Sequence, residues 1–431
     1  GQQSSTIGLI YMPQWMMEGD ATQFETEASS FGRGKQPRFT LEFRAMSDIV
    51  RRYPNMDKYF CGSYRNYIPD HYQLGYFICR QGYNQYGAIL GNDMADLTTR
   101  RPWMVVSNSW VFKKLYGTTQ PRLFDETFDT LYHHWQSLPQ IEQSTTPIAI
   151  PEVESYTTYS YPLALGDGRI LALKEDFDNP SALVVINPNT ADEQRLIHTG
   201  IVSSRPARDH SGRIYWTEYR RSPLFAQKVT SKIYYLDSGQ HTSHRLHIKG
   251  NALYPTPTQE GTISWVEYAL DGSYSVVSYK DGTELSRTTI ERDKEVHGMA
   301  WDNTTQAMYL LITDDDGMHI AKLQNQTLQP VTRPAYTTLS DLKAKDGKLY
   351  FGSIASGRDE LHYIDLATGK EYQLSTSSFG SFSPAPFDDK SVVGVSYDRR
   401  GYLPVTQSIT TTHEVKHRPH PEAYLLPESE P

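Results

Sequence analysis

Three features of the 431-residue sequence predict a multidomain α + β protein: a helical N-terminal domain followed by a six-bladed β-propeller. Apolar residues in roughly the first 140 positions recur at helical spacing. From about Ile148 the pattern changes to period two with frequent turn signals. A turn followed by an apolar strand then returns about every 45 residues. The expected boundaries are 1–140 for the helical domain, 141–153 for a linker, 154–421 for the propeller and 422–431 for a tail.

The helices follow in order. Pro13 suits a first helical position, and Met17, Ala21, Phe24 and Ala28 follow at spacings of 4, 3 and 4. A second apolar set is Phe43, Met46, Ile49 and Val50. Asp70 is placed to cap a helix carrying Leu74, Phe77 and Ile78. The last helix starts near Pro121 with Phe124, Phe128, Leu131 and Trp135. Each stripe buries one face against a neighbour.

The second half reads as strands: 169–173, 182–186, 214–216 and 233–236, separated by polar turns such as Asn187-Pro188-Asn189. Turn-then-strand units begin at Asp167-Gly168-Arg169-Ile170, Ser211-Gly212-Arg213-Ile214, Glu260-Gly261-Thr262-Ile263, Asn303-Thr304-Thr305-Gln306, Asp346-Gly347-Lys348-Leu349 and Asp388-Asp389-Lys390-Ser391. A second turn, as in Asp281-Gly282 or Thr368-Gly369, lies roughly 20 residues later in most units. About four strands per unit and six units make a closed propeller, in which blades bury their faces against neighbours and strand edges are protected. An array of sandwiches with accidental spacing is the alternative.

Composition excludes several classes. Lys+Arg 42 against Asp+Glu 50 gives a net charge of −8, which is no footprint for nucleic acid. Aromatic residues make up 12% of the chain, enough for a packed core. No apolar run of transmembrane length is present. The two cysteines, Cys61 and Cys79, either pair or are both free, and they form no CxxC zinc spacing. Asp314-Asp315-Asp316 before Gly317 lacks the full calcium-loop spacing and reads as a turn. His417 and His420 lie in a Pro-rich tail and read as flexible. No P-loop, dinucleotide-binding glycine pattern or GxSxG occurs.

One segment carries chemistry. Pro13-Gln14-Trp15-Met16-Met17-Glu18-Gly19-Asp20-Ala21 resembles the helix bearing the third zinc ligand in gluzincin metallopeptidases of the peptidase-MA-like group. Gly32-Arg33-Gly34-Lys35, Tyr67-Ile68-Pro69-Asp70-His71-Tyr72-Gln73-Leu74-Gly75-Tyr76 and Phe124 through Trp135 resemble the segments that follow it. The resemblance covers roughly residues 1–137, and the later repeat looks like a TolB-type six-bladed propeller. This pairing resembles exported proteins of the Bacteroides group.

The resemblance implies a helical remnant of a gluzincin domain in which Glu18 is a zinc ligand. Small Gly19 and Ala21 would allow close helix packing, and His71, Tyr72 and Tyr76 would be candidate catalytic groups facing the cleft. Read without it, Glu18 is a glutamate on a helix surface, His71 a polar residue of a first helical turn and Arg33 a solvated loop residue. Two imidazoles and a carboxylate hold Zn²⁺ and leave a position open for water. Yet no HExxH occurs in the sequence. In the family that motif precedes the Glu helix, so the chain, which opens at Gly1 without Met, reads as a fragment or a degenerate homologue. Zinc is therefore expected in the intact parent and none in this chain, which alone is expected to hydrolyse nothing. The resemblance implies a cell-envelope zinc peptidase, exported to the periplasm or cell surface, whose propeller gates or presents protein or peptide substrates. The alternative is a non-catalytic propeller that binds a protein or glycan partner. Trp15, Met16 and Met17 are candidates for exposure, to be covered by the propeller or by a second copy.

Overall fold

A computed structural model describes residues 12–29, 31–87, 89–100, 108–225, 227–259, 261–413 and 415. The chain divides into two compact units between Gln140 and Ile141. The tail read from 422 onwards, with His417 and His420, lies outside the described residues.

The first unit contains α1 (Gln14–Ala28), a 3₁₀ turn (Arg33–Lys35), α2 (Pro37–Ala45), α3 (Ser47–Arg52), α4 (Met56–Cys61), α5 (His71–Tyr86), α6 (Leu90–Arg100), α7 (Asn108–Tyr116) and α8 (Gln120–Ser137). Asp70 caps α5, its carboxylate accepting from the Tyr72 N–H at 2.8 Å. The stripe Phe124, Phe128, Leu131 and Trp135 of α8 is buried against Leu74, Phe77 and Ile78 of α5. Phe43 meets Phe128 at 5.1 Å between ring centroids, and Phe77 meets Trp135 edge-on at 5.8 Å. Cys61 and Cys79 are both free thiols, one exposed and one buried.

Helix α1 corrects the reading by apolar period. Phe24 is 73% exposed, and Ala21 and Ala28 are exposed as well. The buried face is instead Trp15, Met16, Gly19, Thr22, Gln23 and Thr26. The reason is a crossing at backbone distance. A Cβ on Gly75 would stand 1.8 Å from the Trp15 carbonyl oxygen, and one on Gly19 would stand 2.3 Å from the Gly75 carbonyl carbon. So close a crossing selects small residues rather than a greasy stripe. Thr22 and Thr26 satisfy their hydroxyls on the Glu18 and Thr22 carbonyls, at 2.7 and 2.6 Å. Trp15 and Met16, expected to be bare, are 1% and 0% exposed within the core of this same unit.

The second unit is all β, with β1 (Thr146–Pro147), β2 (Thr157–Ala164), β3 (Ile170–Asp176), β4 (Ala182–Ile186) and β5 (Glu193–His198). Next come β6 (Ile201–Arg208), β7 (Ile214–Arg221), β8 (Val229–Leu236) and β9 (His244–Arg245), then β10 (Asn251–Pro257), β11 (Thr262–Tyr268), β12 (Tyr274–Lys280) and β13 (Thr283–Thr289). They are followed by β14 (Glu295–Asp302), β15 (Ala307–Asp314), β16 (Gly317–Gln324) and β17 (Thr327–Pro330), and by β18 (Leu339–Lys345), β19 (Lys348–Ser353), β20 (Glu360–Asp365) and β21 (Lys370–Gln373). The last three are β22 (Ser381–Pro386), β23 (Ser391–Asp398) and β24 (Gly401–Ser408).

The arrangement is propeller-like. β6–β9, β10–β13, β14–β17 and β18–β21 are separate four-stranded antiparallel sheets, each formed from consecutive strands. The expectation of six blades is corrected: among the described residues four sheets stand separately as blades, while β22–β23–β24 and β2–β5 form one eight-stranded sheet with β1 on β24. The join is a two-residue parallel seam, Thr157 on Gly401 and Thr158 on Tyr402. It depends on Gly401, at φ 126°, where a Cβ would lie 1.9 Å from the Thr157 carbonyl oxygen. Part of the stretch read as a linker is β1, paired with Val405 and Thr406, so it is tied into this sheet.

The repeated turn glycines Gly168, Gly212, Gly261 and Gly347 have φ between 71° and 90°, the left-handed region that glycine adopts most readily. Asp314 to Gly317 closes the β15–β16 hairpin. Consecutive sheets share cores. Leu311 and Ile320, for example, pack in one cluster with Leu342, Leu349 and Phe351 of the next sheet.

Candidate functional site

The sequence-predicted residues of the helical unit converge in part. Because α1 and α5 cross at Gly19 and Gly75, the side chain of Glu18 comes beside the first turn of α5. The Tyr72 hydroxyl is within hydrogen-bonding reach of the Glu18 carboxylate, whose charge pushes the phenol pKa up. The Arg33 guanidinium lies 5.0 Å from the centroid of the Tyr72 ring. Arg33 is itself held by Glu25, through Nε at 2.8 Å and its backbone N–H at 3.2 Å. The His71 ring stands 4.6 Å from the Tyr72 ring. Its Nδ1 is 3.3 Å from Asp70 Oδ1, and its Nε2 has no hydrogen-bond partner among the described residues. Glu18, Tyr72, His71 and Arg33 thus form one polar, partly exposed face.

Tyr76 lies elsewhere. It is fully buried, packed edge-on against Phe39 at 5.7 Å, and burial pushes its hydroxyl up to about 12. Its ring backs the 3₁₀ turn: a Cβ on Gly34 would stand 2.6 Å from Tyr76 Cζ.

The fit to zinc is partial. Among the described residues no three His, Cys, Asp or Glu side chains group as metal ligands. Glu18 offers one carboxylate, already engaged by a phenol. A tetrahedral site requires more donors than this face provides, so these residues alone do not fit a zinc ion.

Sequence reasoning missed the centre of the second unit. The first strand of each set breaks register: between Ser160 and Leu163, Ser204 and Ala207 (with a second shift between Val202 and Ser204), Leu253 and Thr256, Val296 and Gly298, Ser340 and Lys343, and Phe382 and Ala385. Tyr161, Tyr254, Asp341 and Ser383 sit in these bulges with φ of 54° to 57°, an unusual conformation for residues other than glycine. Proline follows Tyr161, Arg205, Tyr254 and Ser383, and a bulge tolerates its missing N–H. The signal was present: Pro162, Pro206 and Pro255 each stand six residues before Gly168, Gly212 and Gly261.

The bulges line a central cavity of about 230 Å³. Arg205 is 7% exposed and reaches across it, donating to the Asp341 carbonyl and, at 3.2 Å, to the Pro384 carbonyl. Its Nη1 is 3.9 Å from the Asp341 carboxylate, which also accepts from Ser383 at 2.7 Å. Lys343 donates to the Pro206 carbonyl at 3.3 Å, and burial, with Arg205 nearby, pulls its ammonium down to about 7.

No protein family and no curated protein sequence matches the chain. Solved structures are similar to it at low identity. A puromycin-hydrolyzing peptidase of Mycobacterium tuberculosis shares 14% identity with a TM-score of 0.40, over 57% of this chain and 43% of its own. Pyrococcus horikoshii acylaminoacyl peptidase shares 12% with a TM-score of 0.38, over 55% of this chain and 41% of its own. The β-propeller domain of the Trilobed protease from Pyrococcus furiosus shares 13% with a TM-score of 0.41, over 64% of this chain and 100% of its own. The chain spans less than half the length of the first two. Likenesses this faint carry no functional argument.

Proposed function

We propose that this chain is part of a peptidase-related, propeller-bearing protein in which Glu18 is one leg of a zinc centre and the propeller presents peptide substrates. The eight-stranded sheet is read as two blades joined at the Thr157–Gly401 seam, which makes six blades in all. One observation carries the proposal: the Gly19–Gly75 crossing stations Glu18 against Tyr72, with the His71 ring, whose Nε2 is buried and has no hydrogen-bond partner among the described residues, and the cation of Arg33 packed on the same phenol. A carboxylate beside a phenol and an imidazole suits a centre where acyl-oxygen charge develops, since both can donate to an oxyanion. Tyr72 and His71 fill that role, while buried Tyr76 supports the turn that carries Arg33.

The remaining ligands have to come from an HExxH that this sequence does not contain, so the chain by itself is proposed to be inactive. An envelope location belongs to the same reading and rests on the resemblance to exported proteins. Among the described residues no helix is long and apolar enough to cross a membrane. The second reading, a non-catalytic binding module, is favoured by the polar cavity at the propeller's centre. The deciding experiment reads the coding sequence upstream of Gly1 and assays the protein with that segment included. HExxH together with chelator-sensitive peptide hydrolysis supports the peptidase. Lack of both leaves the binding module.

A further inference from the structure

We propose that the central cavity of the propeller unit binds a single carboxylate group, clamped between Arg205 and Lys343. The inference concerns the propeller alone and holds under either reading of the helical unit.

The argument is one of unmatched charge. Two basic groups face the cavity, the Arg205 guanidinium and the Lys343 amine that burial leaves about half protonated near pH 7, and one carboxylate, Asp341, answers them. Asp341 stands 3.9 Å from Arg205 and shares its oxygens with the Ser383 hydroxyl. Arg205 gives two N–H groups to neutral carbonyls, while its buried Nε has no hydrogen-bond partner among the described residues. Lys343 has a carbonyl contact alone and no ion pair among the described residues. Of the other titratable groups lining the space, His297 is pulled towards neutrality by burial and Tyr254 is pushed up by it. Tyr161 completes the set. None of these three adds a counter-anion at neutral pH.

A buried guanidinium N–H without an acceptor is costly, and a carboxylate is the acceptor whose shape matches the guanidinium fork. Burial pulls down the pKa of both cations by more than the single carboxylate of Asp341 restores. An entering carboxylate supplies that charge and accepts from both. The cavity's size suits one small polar group and the first atoms behind it. Tyr161, Tyr254, His297 and Lys343 retain partial exposure, so the site is reached from solvent. The carboxylate belongs either to a peptide C-terminus or to a small organic acid, and the chemistry recognised is the same.

Calorimetry on the whole chain tests this with tetra-alanine bearing a free C-terminus, its C-terminal amide and sodium acetate. The expected result is that the free acid binds at least about tenfold more tightly than the amide. Acetate that fails to compete identifies a chain end as the source, whereas acetate that binds as well as the peptide identifies a small acid. Lys343→Gln, which removes only one carbonyl contact, is expected to lose about tenfold in affinity while still folding cooperatively. Arg205→Lys keeps a cation in place if Arg205→Ala fails to fold, and is expected to weaken binding while folding normally. No binding of either acid, equal binding of acid and amide, or unchanged binding by Lys343→Gln overturns the proposal.

Discussion

Replacing Gly75 with alanine tests the crossing that places Glu18. The new methyl would stand 1.8 Å from the Trp15 carbonyl oxygen and 2.9 Å from Gly19 Cα, both backbone atoms that cannot rotate away. Reaching ordinary contact near ~3.5 Å requires α1 to retreat by about 1.7 Å. Alanine gains about 1 kcal/mol of helix propensity over glycine. Against that, overpacking costs about 1–3 kcal/mol, and the retreat loosens Trp15 and Met16, both now enclosed, at about 2 kcal/mol more. The net expectation is a loss of about 2–4 kcal/mol in the helical unit. Gly82→Ala on the same helix is the control. The three atoms nearest its methyl all belong to the Leu90 side chain, the closest at 2.6 Å, and a side chain can shift where a backbone cannot. Its cost is expected within about 1 kcal/mol of zero. Urea denaturation of the whole chain, followed by tryptophan fluorescence and helical circular dichroism, measures both. If Gly75→Ala costs no more than Gly82→Ala, the backbone crossing is wrong.

Other outcomes follow from the same structure. Burial pushes the Glu360 carboxyl up to about 8, although Ser375 and Ser377 donate to it at 2.6 and 2.8 Å. Its folded pKa therefore lies above its unfolded one, so its contribution is complete below about 4.5 and is lost as pH rises towards about 8. Propeller stability should fall between pH 5 and 7 by up to about 1.4 kcal/mol per unit, and Glu360→Gln should flatten that slope. Lys343, with its pKa lowered, acts with the opposite sign above about 7, so the lower window is the clean one. Glu18→Gln should lower the Tyr72 phenol pKa, read as the difference between ultraviolet titrations with and without Tyr72→Phe; an unchanged value would separate the two residues. In the native state a thiol reagent should label Cys61 and spare Cys79, which is buried and whose thiol pKa is pushed well up; rapid labelling of both contradicts this burial.

Much of the fold was legible because its signals are local. A turn that needs positive φ shows as glycine, so Gly168, Gly212, Gly261 and Gly347 mark the repeat directly. The α8 stripe was legible because its partners are bulky side chains that demand apolar neighbours. Helix α1 was misread because its neighbour is the backbone of α5, and a backbone contact selects glycine and threonine. Of the two small residues expected to allow close packing, Gly19 lies at the crossing while Ala21 is exposed, and the apolar period drew attention to Phe24, which is exposed too. Merging of the first and last strand sets was hidden because it depends on one two-residue seam between ends of the unit far apart in sequence. The central cavity was hidden for a related reason. Arg205 comes from one repeat and Asp341 and Lys343 from another, and no local pattern joins them; only the proline six residues before Gly168, Gly212 and Gly261 hinted at the bulges.

The most direct test is zinc content and peptide hydrolysis of the protein expressed as an extended form from its full coding sequence, compared with its Glu18→Ala variant. The account predicts one zinc per chain with hydrolytic activity, both lost or severely weakened in the variant. Zinc and hydrolysis that persist without the Glu18 carboxylate, or an extended protein showing neither, would contradict it.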